Sequence, residues 1–408
     1  MSSEHSPPGP AVPASSRPAI PRSIWVLGFV SLLMDVSSEL IHSLLPVFMV
    51  TVVGASALTI GLIEGVAEST ALIVKVFSGV LSDWWGKRKP LAVFGYGLGA
   101  LSKPLFAIAT TAGTVLAARF IDRIGKGIRG APRDALIADL APPAVRGAAF
   151  GLRQSLDTVG AFLGPLLAIV LMLAWANDFG AVFWVAAIPG FLAVALLFMG
   201  VKEPDPPAGA RRGNPVTLAN LRRMSRPYWW VVGIGAAFTM ARFSEAFLVL
   251  RALQGGVAAA YTPLVLIAMN VFYSASAYPF GKLSDRVRRT PLLASGMALL
   301  IAANLVLAWS EHWTWVGLGV ALWGLHMGAT QGLLATMVAD TAPVELRGTA
   351  YGFFNLLSGV AMLLASGIAG LLWDQLGAPA TFLASAGFAA LALVGVGLRG
   401  RQRSSGSS

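Results

Sequence analysis

Gly79-Val-Leu-Ser-Asp83, which runs on into Trp84-Trp85-Gly86-Lys87-Arg88, returns 202 residues later as Gly281-Lys-Leu-Ser-Asp285. Each copy closes an apolar stretch and opens a short basic connection. A second pair keeps nearly the same offset: Ala138-Asp139-Leu-Ala-Pro-Pro-Ala-Val-Arg146-Gly147 recurs 201 residues on as Ala339-Asp340-Thr-Ala-Pro-Val-Glu-Leu-Arg347-Gly348. This spacing predicts one long unit written twice in the same direction.

Outward from these markers, apolar stretches of about 20 residues recur, each long enough to cross a hydrocarbon core of about 30 Å. Twelve are expected, over 24–48, 58–82, 90–110, 113–136, 146–174, 179–200, 229–251, 260–284, 291–310, 313–338, 348–373 and 378–398. The expected fold is an all-α integral membrane protein, with twelve transmembrane helices in two six-helix pseudo-repeats around a central cavity. Its divisions are a proline-rich disordered tail over 1–22, an N-terminal bundle over 23–200, a polar linker over 201–228, a C-terminal bundle over 229–399 and a short tail over 400–408.

Composition agrees. Of 408 residues, 56% are hydrophobic and 12% charged, and the mean hydropathy is +0.71, which excludes an ordinary soluble enzyme. With no cysteine, the chain has neither disulfides nor thiolate metal ligands. The net charge of +11 sits in Lys87, Arg88, Lys89, Arg146, Arg286, Arg288, Arg289, Arg347 and the 201–228 linker, all on one side of the expected spans. By the positive-inside rule that side is cytoplasmic, both termini lie there, and no nucleic-acid partner is needed. Neither a nucleotide loop nor a serine elbow is present, so enzyme chemistry and a bound cofactor are not expected.

Ionisable side chains inside spans cost roughly 2.5–3.5 kcal/mol each at mid-helix, so each needs a purpose or a partner. Asp35, Glu39 and His42 share a face of the first span, and Glu64, Glu68 and Lys75 lie near one face of the second. The fourth carries Arg119, Asp122, Arg123, Lys126, Arg129, Arg133 and Asp134, while the matching tenth span is neutral apart from His326. Asp35 and Glu39 are candidates for a site where a proton and a cationic group compete. A fixed buried salt bridge from Asp35 to Arg119 or Lys75 is the structural alternative. Arg242 and Glu245 on the seventh span either pair with each other at i and i+3 or present Glu245 across the cavity from Asp35. His42 with Glu39, Asp35 and His326 would supply nitrogen and oxygen ligands to a borderline divalent ion, and the alternative is packing histidines.

Gly79, Asp83, Gly86, Lys87 and Arg88 together resemble the loop motif of the major facilitator superfamily, and Gly281 and Asp285 repeat its core. Arg119 is similar to the buried fourth-helix arginine of that superfamily. Gly160-x-x-x-Gly164-Pro165 resembles the signature of its proton-coupled exporters, and the first span, with His42, looks like the bacterial nickel-resistance branch. The resemblance implies gating by the loop motifs and a central site lined by helices 1, 4, 7 and 10. Asp35, Glu39, Glu68, Arg119, Asp122, Arg242 and Glu245 are the expected cavity residues. The expected function is proton-coupled efflux across a bacterial inner membrane by a monomer. Its substrate would be a nickel-like divalent ion or, in the alternative readings, a small organic compound, or an anionic solute imported by symport.

Overall fold

The computed structural model describes residues 19–202, 221–284, 286–287, 289–343 and 346–405. The start of the chain, most of the 201–228 connection and Asp285 lie outside the described residues, as does the side chain of Asp83. Every bounded element among them is helical, and there is no strand. The first half comprises α1 (Arg22–His42), α2 (Leu45–Thr51), α3 (Ala57–Trp85), α4 (Lys89–Ala107), α5 (Ala112–Leu140), α6 (Arg146–Ala174) and α7 (Phe179–Gly200). The second comprises α8 (Arg226–Met240), α9 (Ala246–Gln254), α10 (Leu264–Ser284), α11 (Arg289–Trp309), α12 (Trp313–Thr341), α13 (Arg347–Leu376) and α14 (Ala378–Ser405).

Because α1 with α2 and α8 with α9 each make one crossing, the crossings number twelve. Eight stretches are long and apolar enough to span a bilayer on composition alone. α5 falls short because of its buried charges, and α8–α9 because it is broken. The two breaks are equivalent: Ser43 follows α1, and Ser244 lies 201 residues later between α8 and α9. Local signals set the ends. Ser56 and Asp178 accept from backbone N–H groups in the first turns of α3 and α7, and Thr111 and Thr114 form a capping box on α5. Gly86 ends α3 at φ +68°, a left-handed conformation that costs a residue with a Cβ roughly 1–2 kcal/mol.

Within the first half α1 packs on α6 and α7, and α5 on α3 and α4; within the second, α12 packs on α10 and α11. The repeated sequence markers become repeated ion pairs. Arg88 reaches Asp139 at the end of α5 at 3.1 Å, and Arg289 reaches Asp340 at the end of α12. Each pair ties a basic connection to its own half.

The halves meet along α3 and α13, with further contacts of α6 with α10 and α2 with α9. Glycines let α3 and α13 touch backbone to backbone: a Cβ on Gly65 would lie 3.1 Å from Leu363 Cα, and one on Gly370 would lie 2.6 Å from Leu58 Cα. At the end remote from the basic connections, Asp374 near the end of α13 accepts from the backbone N–H groups of Ala57 and Leu58, both at 2.9 Å. The carboxylate thereby caps α3 from the other half. At the basic end the apolar core of the first half, around Ile24, Leu27, Tyr96, Ala149 and Leu197, is separate from the core shared by both halves. The apolar contact between the halves thus lies in the shared core, and the Asp374 cap closes it at the end remote from the basic connections.

Arg251 lies in the last turn of α9. It serves a helix terminus, donating to the carbonyls of Leu307 (2.9 Å), Ala308 (3.3 Å) and Ser310 (2.5 Å) at the end of α11.

Candidate functional site

The seventh span is not the continuous helix expected over 229–251. Residues 241–245 are unwound between α8 and α9. Backbone freed in this way must be satisfied inside the protein. Ser385 of α14 donates to Ala241 O at 2.5 Å, and Ser244 N donates to Ser366 Oγ of α13 at 3.2 Å. Without helical geometry Arg242 and Glu245 do not form the i, i+3 pair. Neither side chain makes a hydrogen bond or ion pair among the described residues, and both face the interior cavity.

Across the cavity the charges of α3 are matched by α5. Arg119 Nη2 lies 2.5 Å from Glu64 Oε2 and 3.7 Å from Glu68, and Arg123 Nη2 lies 3.3 Å from Glu68. Ser244 donates to Glu64 at 3.4 Å, a polar contact between the halves at this depth. Behind this layer Lys103, fully buried on α4, donates to Asp122 Oδ1 at 2.7 Å and to Ser38 at 3.0 Å. Asp122 was expected in the cavity. It stands behind the cavity wall instead, 1% exposed, because Lys103 holds it there. The signal for that partner was a lysine inside the third apolar stretch.

The cavity has two communicating compartments. The one nearer the closed end, about 400 Å³, is lined by Glu39, His42, Glu64, Glu68, Arg119, Arg123 and Lys126 from the first half and by Arg242, Phe243, Glu245, Leu266, Trp323 and Met362 from the second. The other, about 470 Å³, extends toward the basic end past Asp35, Lys75, Arg129, Arg133, Asp157 and Tyr273, and shares Glu39, Glu68 and Lys126. One wall is charged and the facing wall is largely aromatic and aliphatic. Asp35 makes neither of the salt bridges considered for it, since Arg119 is engaged with Glu64 and Glu68. Its carboxylate has no ion pair among the described residues. Glu245 shares its compartment with Glu39 and Glu68 rather than with Asp35.

The Gly160 and Gly164 motif packs against the backbone and Cβ atoms of the α1 face that carries Asp35 and Glu39. A Cβ on Gly160 would lie 2.7 Å from Leu32 O and 2.9 Å from Asp35 Cβ, and one on Gly164 would lie 2.8 Å from Glu39 Cβ. With Pro165 buried beside them, α6 lies flush against the face of α1 that carries Asp35 and Glu39. In the loop motif Gly79 makes only ordinary contact with α5 and Lys87 is exposed, while Gly281 has open space where a Cβ would be.

The four candidate metal ligands are not brought together as a set, although His42 Nδ1 lies 3.8 Å from Glu39 Oε1. Asp35 lines one compartment, His42 the other, Glu39 both and His326 neither. Arg123 Nη2 sits 2.7 Å from His42 Nε2 and 2.9 Å from Nδ1, so a guanidinium occupies the ring edge that a metal would need. His326 is wholly buried beside Phe238 and Trp323, with Nδ1 3.0 Å from Gly296 O. Among the described residues no group of three or more His, Asp or Glu is placed to hold an ion.

Twelve crossings, two repeats with equivalent breaks and a charged cavity at their interface define a multi-pass membrane transporter rather than an enzyme. The Major Facilitator Superfamily family model matches residues 27–241 and 256–407, and the chain belongs to that superfamily. It is 33% identical over 359 residues to an uncharacterized MFS-type transporter of Methanocaldococcus jannaschii, covering 86% of this chain and 88% of the relative. To the multidrug resistance protein MdtL of Escherichia coli it is 25% identical over 302 residues, covering 72% and 73%. The solved nucleoside transporter NupG shares the fold with a TM-score of 0.74 at 12% identity, covering 92% of this chain and 98% of that one.

Proposed function

We propose that this chain is a proton-coupled exporter of small amphiphilic organic solutes bearing a cationic group, acting as a monomer in a bacterial inner membrane with its basic end and both termini in the cytoplasm. The observation that carries the reading is the state of the carboxylates. Glu64 and Glu68 are neutralised by Arg119 and Arg123, whereas Asp35 lines the cavity without an ion pair, held against the Gly160 and Gly164 surface of α6. A free carboxylate in a water-filled cleft accepts either a proton or a cationic group, and that mutual exclusion is what exchange requires.

In this reading the compartment past Asp35, Arg129 and Arg133 leads to the cytoplasmic end. A solute enters, sets its apolar body against Phe243, Leu266 and Trp323, and pairs its cationic group with Asp35 and Glu39. The two bundles, joined by the 201–228 linker, then rock about the glycine seam of α3 and α13, with the loop motifs holding the cytoplasmic end closed in the outward state. Protons arriving from outside neutralise the carboxylates, release the solute and accompany the return. The multidrug relative supports export as the direction. The nickel-like reading has less support, because His42 is covered by Arg123 and His326 lies outside the cavity. An imported anion would leave Asp35 and Glu39 without a partner.

The test is transport in proteoliposomes, following internal pH while organic cations and Ni²⁺ are presented in turn. Organic-cation-dependent proton flux is expected in the wild type and should disappear in Asp35→Asn. Undiminished flux in that variant, or flux with Ni²⁺ alone, would overturn the reading.

A further inference from the structure

Arg119 is 4% exposed and lines the upper compartment, yet only its Nη2 is engaged; Nε and Nη1 have no hydrogen-bond partner. From the opposite half, Arg242 lines the same compartment, with Nε buried and unpartnered and no ion pair to Glu245. A buried guanidinium with idle donors forfeits solvation that its own protein does not return, so such donors mark the place of a bound acceptor. The guanidinium fork matches the two oxygens of a carboxylate or the face of a phosphate. The unwound 241–245 segment is what brings Arg242 to the cavity rather than into the helix-bound pair.

From this juxtaposition we propose that the transported solutes are zwitterions. Their anionic group is gripped between Arg119 of α5 and Arg242 of the broken seventh span, while their cationic group takes Glu39, an acid common to both compartments, and Asp35 beyond it. The inference rests on the organic-solute reading above and specifies it. Such a solute is neutral overall, which suits a compartment whose lining holds four acids, Glu39, Glu64, Glu68 and Glu245, against four bases, Arg119, Arg123, Lys126 and Arg242. The anionic grip spans both halves, so a bound solute bridges the two bundles that rock against each other during the conformational change.

The test uses purified full-length protein in nanodiscs and probes with one aromatic body: phenylalanine and 2-naphthylalanine, their carboxamides, and the matching aryl propionates. Binding is read by calorimetry and by ligand-induced thermal shift. The acids should bind at least tenfold more tightly than the isosteric amides, and the propionates, lacking the ammonium group, should also bind weakly. In Arg242→Gln the acid-to-amide ratio should fall below about twofold, while Arg242→Lys should retain part of it. Arg119 is left intact in these variants because its pair with Glu64 supports the fold. Equal binding of acid and amide, no binding by either, or a ratio unchanged by Arg242→Gln overturns the proposal. Organic-amine-driven proton flux that persists alongside such a result leaves the exporter reading standing and removes only the anionic subsite. If no organic compound drives flux, the exporter reading itself falls.

Discussion

Removing the carboxylate of Asp374 should loosen the closed end. Its two oxygens accept from Ala57 and Leu58 N–H at 2.9 Å, across the interface and at the positive end of α3. Hydrogen bonds to a charged group are worth about 1.5–3 kcal/mol each, and a carboxylate at a helix N-terminus adds about 0.3–1 kcal/mol. Asp374 is exposed, so solvent screening reduces the total to about 1–2 kcal/mol. That corresponds to roughly a five- to thirtyfold shift in the closed-to-open ratio. The chain contains no cysteine, so a single Val249→Cys in the upper compartment reports access without background. A membrane-impermeant maleimide applied from the face remote from the basic connections should label this cysteine about five- to thirtyfold faster when Asp374→Ala is added, and about threefold faster with Asp374→Asn. An unchanged rate in Asp374→Ala, with thermal stability also unchanged, would refute the view that this contact holds the end shut.

Other perturbations test the interior. Lys103→Met leaves Asp122 buried with only the longer Arg123 pair at 3.9 Å and should lower stability by up to about 3 kcal/mol, with much of the loss recovered in Lys103→Met/Asp122→Asn; thermal unfolding in detergent measures both. Gly164→Leu forces side-chain atoms into contacts that already stand at 2.8–3.0 Å from Glu39 Cβ, Val36 O and Leu40 N, so it should cost about 1–3 kcal/mol. Proton-coupled flux should fall with it, since α6 can no longer lie against Asp35 and Glu39. Arg119→Gln strands Glu64 and should destabilise by about 3–5 kcal/mol, whereas Arg119→Gln/Glu64→Gln should unfold close to the wild-type temperature.

Where hydropathy and the internal repeat speak directly, the helical membrane fold was legible in the amino-acid sequence. Eight crossings follow from apolar length and the rest from the repeat, whose markers the folded chain turns into the Arg88–Asp139 and Arg289–Asp340 pairs. Asp35 and Glu39 were legible as cavity residues because a carboxylate at that depth of a span has few other purposes. The unwinding at 241–245 was not legible. It contains neither proline nor glycine, and the groups that satisfy its backbone, Ser366 and Ser385, lie more than 100 residues further on. Asp122 was misplaced for a different reason, since its placement is decided by Lys103 from a neighbouring helix, and Asp374, at the end of α13, carries no local sign of the helix it caps 317 residues away. Partners chosen by tertiary packing leave no period in the chain.

The division of the cavity into a charged wall and an apolar wall also bears on how such a protein can change. The carboxylates and their arginine partners belong almost entirely to the first half, while Phe243, Leu266, Trp323 and Met362 belong to the second. Substitutions at those four positions can reshape the solutes accepted without disturbing the ion-pair lattice of the first half. Variation in the second half is therefore the cheaper route to a new cargo, and a library confined to these four side chains is the natural starting point for redirecting the transporter.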